Sequence, residues 1–157
     1  MQIAKSNKEM SGGIKHVVFH DNVLREGGSA FRFKANLDRG GLVENIFVKN
    51  FRVERFKSLF WFQLNYPRQG EEKFPSIYRD IEFDNIIADH AEIVFEINAP
   101  VEQPLLDVTF KNITVNSYDT LFDVHNAKNI TLDNFVVGDQ RIDATMHWFQ
   151  TENSDSQ

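Results

Sequence analysis

Apolar and polar residues alternate in five similar segments of the chain. Aligned on a polar residue at their sixth position, the segments are HVVFHDNVL (16–24), NIFVKNFRV (45–53), DIEFDNIIA (80–88), DVTFKNITV (107–115) and NITLDNFVV (129–137). The positions four and two residues before that polar residue are apolar in every segment, which predicts a strand with one buried face. The apolar phase shifts by one after it, which predicts a bend between two strands.

The polar residue at the predicted bend recurs along the chain. It is Asp21, Asn50, Asn85, Asn112 and Asn134, at spacings of 29, 35, 27 and 22 residues. Between these segments lie the strand-like runs AFRFKA (30–35), SLFWFQLN (58–65), EIVFEIN (92–98) and TLFDVHN (120–126), and ATMHWFQ (144–150) is expected to close the series. Repeats of this kind predict an all-β fold, a right-handed, single-stranded parallel β-helix of about five coils. In that fold stacked Asn side chains can hydrogen-bond their neighbours.

The pattern predicts one domain over residues 1–150, followed by a flexible polar tail at 151–157. The stretch 65–78 contains two prolines, a glycine and several charges, so we expect a loop there. A β-sandwich of about nine strands is the alternative fold. It explains the alternation but not the recurring Asn.

Charge and composition exclude several function classes. The chain of 157 residues has 23 acidic and 17 basic residues, a net charge of −6, so we expect no nucleic-acid partner. No apolar run approaches the roughly 20 residues of a membrane span, and the N-terminal residues lack the apolar region of a secretion signal. Cysteine is absent, no His and carboxylate cluster has metal-ligand spacing, and none of the Gly-Gly pairs resembles a phosphate loop, so no metal or cofactor is predicted. The pair Glu82 and Asp84 is predicted to form a solvated strand face.

Several motifs are more specific. EMSGGIKHVVFHDN (9–22) is followed by Arg32-Phe33-Lys34 and then by Asp38-Arg39-Gly40-Gly41-Leu42-Val43-Glu44-Asn45-Ile46. PSIYRDIEFDNI (75–86) and NAPVEQPLLDVTFKNITV (98–115) come farther along the chain. Over residues 6–137 this text resembles the polygalacturonase family, the family 28 glycoside hydrolases.

The resemblance implies a parallel β-helix that hydrolyses galacturonate polymers with inversion. In that family the two catalytic carboxylates lie in N-T-D and D-D motifs, both before a G-H-G motif, and all three precede the matched region. Counting back from Gly12, the G-H-G histidine would fall at Gln2. We therefore expect the chain to represent the C-terminal half of such an enzyme, truncated at its N-terminal end. It has no assigned catalytic residue, and is either inactive or active only with an upstream half.

The resemblance also implies a substrate-binding role for Arg32 and Lys34. These residues are two apart on one strand, so they share a face about 7 Å apart while their Phe neighbours point inward. Such a pair can clamp a galacturonate carboxylate. Tyr66 is predicted to stack on a sugar nearby. Trp61 is expected in the core, with a stacking surface beside Tyr66 as its alternative role. The alternative is a solvated strand face with two ordinary surface charges.

The expected partner is an acidic polysaccharide or an oligogalacturonide. An open coil at the N-terminal end also predicts self-association, or pairing with an upstream half. The alternative function is a structural or adhesive β-helix without a sugar site. A pectate lyase would need calcium-binding Asp clusters, which the sequence does not show on a shared face. Proteins of the polygalacturonase family are often exported.

Overall fold

A continuous, mostly parallel sheet makes up the protein. The computed structural model describes residues 1–5, 12–68 and 70–150, so the predicted tail at 151–157 and part of the segment 9–22 lie outside them. The strands are β1 (Gln2–Lys5), β2 (Ile14–Asn36), β3 (Leu42–Tyr66), β4 (Ile77–Tyr78), β5 (Ile81–Asn98), β6 (Leu105–His125), β7 (Ala127–Val137) and β8 (Gln140–Met146). Their order is β1-β2-β3-β5-β6-β7-β8, with β4 against β3, and only β7 and β8 pair antiparallel among the described strands. This is the predicted parallel β-helix, and it excludes the sandwich.

The predicted alignment of the repeats is the observed strand register. One column of paired residues contains Val17, Ile46, Ile81, Val108 and Ile130, and a second contains Phe19, Val48, Phe83, Phe110 and Leu132. From β3 onward every member of both columns is buried. Each coil therefore covers the apolar face of the next, which no single coil can do alone.

The recurring polar residue lies at a bend in every coil. All five of these residues have left-handed φ values, from 51° to 60°, a conformation that Asn and Asp tolerate better than other non-glycine residues. The Asn50 amide donates to the Asp21 carboxylate at 2.8 Å, and the Asn85 amide donates to Asn50 Oδ1 at 2.9 Å. The Asn112 amide donates to the neighbouring Asp84 at 2.8 Å. The predicted ladder is thus confirmed, with a sideways step at Asn112.

A second bend, which the sequence analysis did not predict, precedes the first by five residues. Its members also have left-handed φ values, from 51° to 56°, and are His16, Asn45, Asp80, Asp107 and Asn129. The amide of Asn129 donates to the carboxylate of Asp107 at 2.9 Å. Two bends per coil let a strand as long as the 25-residue β3 turn two corners without leaving the sheet.

Phenylalanine rings fill the centre of the stack. The runs between the segments form strands as predicted, and they place Phe31, Phe60, Phe95 and Phe122 in one column, with successive ring centroids 5.6, 5.5 and 5.3 Å apart. Phe33 and Phe62 stack beside them at 4.6 Å. Offset stacking of this kind stabilises the core beyond simple burial of apolar area.

The last strand closes the stack by reversing direction. Gly138, at a φ of 60°, lies in the two-residue turn between Val137 and Gln140, which pair directly. A left-handed residue suits such a hairpin. The run 144–150 therefore closes the series as predicted, but as an antiparallel cap: Ala144 pairs with Leu132, and the ring of Phe149 lies 5.1 Å from that of Phe122.

Candidate functional site

Arg32 and Lys34 project from the outer face of β2, as the alternation predicts. Both side chains are half-buried, whereas Phe31 and Phe33 are fully buried in the core. Gln2 on β1 pairs directly with Arg32. Gln2 is the position at which the resemblance to polygalacturonases would place a histidine. It therefore lies beside Arg32.

Trp61 lies against Arg32 and outside the core. The two residues pair in register between β2 and β3, and the guanidinium carbon is 4.6 Å from the centroid of the indole ring. The prediction that Trp61 is a core residue is therefore wrong, because it occupies the outward phase between Phe60 and Phe62. The Nε atom of Arg32 is buried and has no hydrogen-bond partner among the described residues. A buried donor of this kind favours binding of an acceptor.

A bulge in β3 brings Tyr66 to the same face. Lys34 pairs with Gln63, but Asn36 pairs with Tyr66, so β3 holds one extra residue. Bulges re-aim side chains in this way. The Lys34 ammonium is 5.6 Å from the Tyr66 ring, which is 6.4 Å from the Trp61 ring. Arg32, Lys34, Trp61 and Tyr66 thus form one group, the cation–aromatic cluster.

Buried loop contacts fix the backbone under this cluster. The hydroxyl of Tyr78 donates to the Lys34 carbonyl at 3.0 Å, and the Leu37 amide donates to the Tyr66 carbonyl at 2.9 Å. Asp38 and Arg39 of the Arg-Gly-Gly motif are almost fully buried, and the Asp38 carboxylate accepts the Gly70 amide at 2.8 Å. The motif therefore has a structural role here: it holds the loop after β2 against the loop after β3.

An open groove of about 610 Å³ adjoins the cation–aromatic cluster. Arg32, Trp61, Lys57, Ser58 and Glu96 form part of its wall, and the other lining residues are Met1, Gln2, Gly28 and Ser29. The size is that of a site for a small ligand. Ser58 and Glu96 were not predicted from the sequence as site residues. The only available signal was that Glu96 occupies an outward position of its strand-like run.

Several carboxylates elsewhere on the surface form ion pairs. Lys111 lies 2.9 Å from Glu82 and 3.8 Å from Asp84, and the hydrogen bond with Glu82 raises the pKa of Lys111. Glu44 is bound by Lys15 at 2.9 Å and by Arg79 at 2.8 Å, and these bonds lower its pKa. Within residues 1–5, 12–68 and 70–150, no group of three His, Cys, Asp or Glu residues is arranged to hold a metal ion. Within the same ranges, no helix is long and apolar enough to cross a membrane.

The cation–aromatic cluster combines the groups needed to bind an acidic sugar. A guanidinium group binds a carboxylate through two parallel hydrogen bonds, and an ammonium group adds a point charge. Indole and phenol rings offer flat apolar surfaces for the C–H face of a sugar. Stacking on Trp61 also limits the orientations open to the Arg32 guanidinium, so less entropy is lost on binding.

The chain is similar in sequence to a known protein over part of its length. No protein-family model matches the chain. A probable polygalacturonase of Vitis vinifera is 27% identical over 113 residues, which cover 69% of this chain and 23% of the relative. This match supports a polygalacturonase-like relationship. The chain spans less than a quarter of the curated relative's length, and its place in the C-terminal half of such an enzyme stays a prediction.

Proposed function

We propose that this pectin-hydrolase-like chain binds an acidic polysaccharide, such as a galacturonan, on the face that carries the cation–aromatic cluster. One observation carries the proposal: Arg32, Lys34, Trp61 and Tyr66 converge on one outer face, although 34 positions separate the first from the last. The two cations take the carboxylate of one galacturonate unit, and the two rings pack against its sugar ring.

In this proposal the 157 residues bind the saccharide and do not hydrolyse it alone. Inverting hydrolysis needs an acid and a base about 6.5–9.5 Å apart. The N-T-D, D-D and G-H-G motifs implied by the resemblance do not occur in the sequence. We infer that inverting hydrolysis of pectin requires these carboxylates from an upstream half of the enzyme.

Trigalacturonate and its fully methyl-esterified form provide the test. Isothermal titration of the 157-residue chain is expected to show the free acid binding at least about tenfold more tightly, because the ester removes the charge that the cluster recognises. The same samples are expected to release no reducing sugar. Equal affinity for acid and ester would overturn the clamp, and turnover above the blank would overturn the division of roles.

We also propose that two copies of the chain associate through the outer edge of β2. Among the described residues, no strand pairs with this edge over residues 14–24, and Val18 and Val23 there are 50% and 62% exposed. An exposed strand edge over an open core recruits another edge.

Sedimentation velocity provides the measurement for this association. The parent chain is expected to sediment as a dimer or larger species at high concentration. V23K is expected to shift it toward monomer, because an edge lysine opposes strand pairing. V101K is the control, since Val101 is 69% exposed in a loop far from that edge along the chain. A parent that stays monomeric at every concentration would rule this association out.

A further inference from the structure

Charge changes sign along the outward column of residues that contains Arg32. In register, from β1 to β6, the column is Gln2, Arg32, Trp61, Glu96 and Asp123. Adjacent strands lie about 4.8 Å apart, so Glu96 is about 10 Å from Arg32 along the stack. A saccharide that extends from Arg32 across Trp61 therefore passes from a cationic to an anionic surface.

Glu96 is held in a fixed position at the anionic end. The hydroxyl of the buried Ser58 donates to its carboxylate, and both residues line the groove beside Trp61. Glu96 is half-buried, so water screens its charge only partly. Lys57 also lines the groove, but its side chain is exposed. The charge of Lys57 is therefore screened more strongly than that of Glu96.

We propose that the groove is a subsite for an uncharged sugar unit, next to the unit whose carboxylate Arg32 and Lys34 bind. The inference rests on the proposed function and narrows its substrate class to saccharides that pair a uronate with a neutral or esterified unit. Glu96 accepts hydrogen bonds from the hydroxyls of the neutral unit, which are strong because the acceptor is charged. A second free carboxylate at this position meets Glu96 and is repelled.

Two trisaccharides test whether the groove takes an uncharged unit. The first is trigalacturonate, which has three free carboxylates. The second is a dimethyl ester of trigalacturonate with one free carboxylate; of the three such esters, the one that binds most tightly is used. By isothermal titration, the parent chain is expected to bind the single acid about fivefold more tightly than the triacid. The substitution Glu96→Gln keeps the shape and an acceptor for Ser58 but removes the charge, so it is expected to raise the affinity for the triacid about tenfold.

A control variant and a second outcome separate the neutral subsite at Glu96 from the carboxylate clamp of Arg32 and Lys34. E92Q alters an exposed carboxylate of the same strand that does not line the groove, and it is expected to leave both affinities unchanged. If the triacid binds more tightly than the single acid, and E96Q leaves that ratio unchanged, the neutral subsite is overturned while the carboxylate clamp stands. If neither ligand binds the parent chain, both proposals fail.

Discussion

Replacing Phe60 by alanine is expected to lower the free energy of unfolding by about 3–5 kcal/mol. The side chain is fully buried at the centre of the stack. Its ring lies 5.6 Å from that of Phe31, 4.8 Å from Phe83, 5.5 Å from Phe95 and 4.6 Å from Phe110. The neighbours are fixed by backbone pairing on both sides, so the cavity left by the ring closes only partly, and the energetic cost stays near the upper end of the range. Urea denaturation followed by circular dichroism measures the change.

Phe47 is the matched control for this substitution. It belongs to the same strand but faces outward and is 41% exposed. F47A is therefore expected to change the free energy of unfolding by less than about 0.5–1 kcal/mol. Equal losses for F60A and F47A would show that the phenylalanine column does not stabilise the fold as described.

Removing both cations of the cluster is expected to weaken trigalacturonate binding about a hundredfold or more. Each charge-assisted hydrogen bond contributes about 1.5–3 kcal/mol, and Arg32 and Lys34 together offer several. The single variants R32A and K34A are expected to lose less. R32K is expected to bind less tightly than the parent, because an ammonium group cannot form the paired hydrogen bonds of a guanidinium group. Isothermal titration measures each affinity.

Cations elsewhere on the coil stack control for the loss of net charge. Lys49 and Arg52 are exposed residues of β3, and Arg52 forms an ion pair with Asp89 on another face. The double variant K49A/R52A removes the same number of charges and is expected to bind like the parent. If the Arg32 and Lys34 double variant also binds like the parent, the carboxylate clamp is overturned. If the parent itself does not bind trigalacturonate, the alternative of a structural or adhesive β-helix without a sugar site is favoured.

The strand register was predictable because every coil repeats the same physical requirement. Each inward position must be apolar to cover the coil beside it. Residues that align by their apolar pattern in the sequence therefore also lie side by side in adjacent strands. Val48 and Phe83 illustrate this: they are 35 residues apart, yet pair as the alignment predicts. The bend at Asn50 was visible for a similar reason, since few residue types tolerate a left-handed backbone.

Other parts of the fold were harder to predict. The second bend has His, Asn or Asp at the first position of every segment. The sequence therefore contained a signal for this bend, but the residue type varies more than at the first bend, which made the repeat harder to recognise. The antiparallel cap was not visible, because alternation in residues 140–146 fits either strand direction. The direction is set by the hairpin turn at Gly138.

Only part of the candidate site could be predicted from the sequence. The shared face of Arg32 and Lys34 follows from alternation alone. Trp61 was misplaced because its large apolar ring was given more weight than its outward phase in the strand. A bulge in β3 places Tyr66 on this face. Glu96 lies on the same face because the registers of β2, β3 and β5 align it with Trp61 and Arg32. Bulges and loop lengths set those contacts, and neither can be derived from periodicity.

The position of a bound uronate tests the central claim most directly. A crystal structure of the chain with trigalacturonate is predicted to show one carboxylate within about 3 Å of both the Arg32 guanidinium and the Lys34 ammonium, with its sugar ring against Trp61 or Tyr66. A saccharide bound on another face of the coil stack, or one that meets the two cations only through hydroxyl groups, would contradict the account.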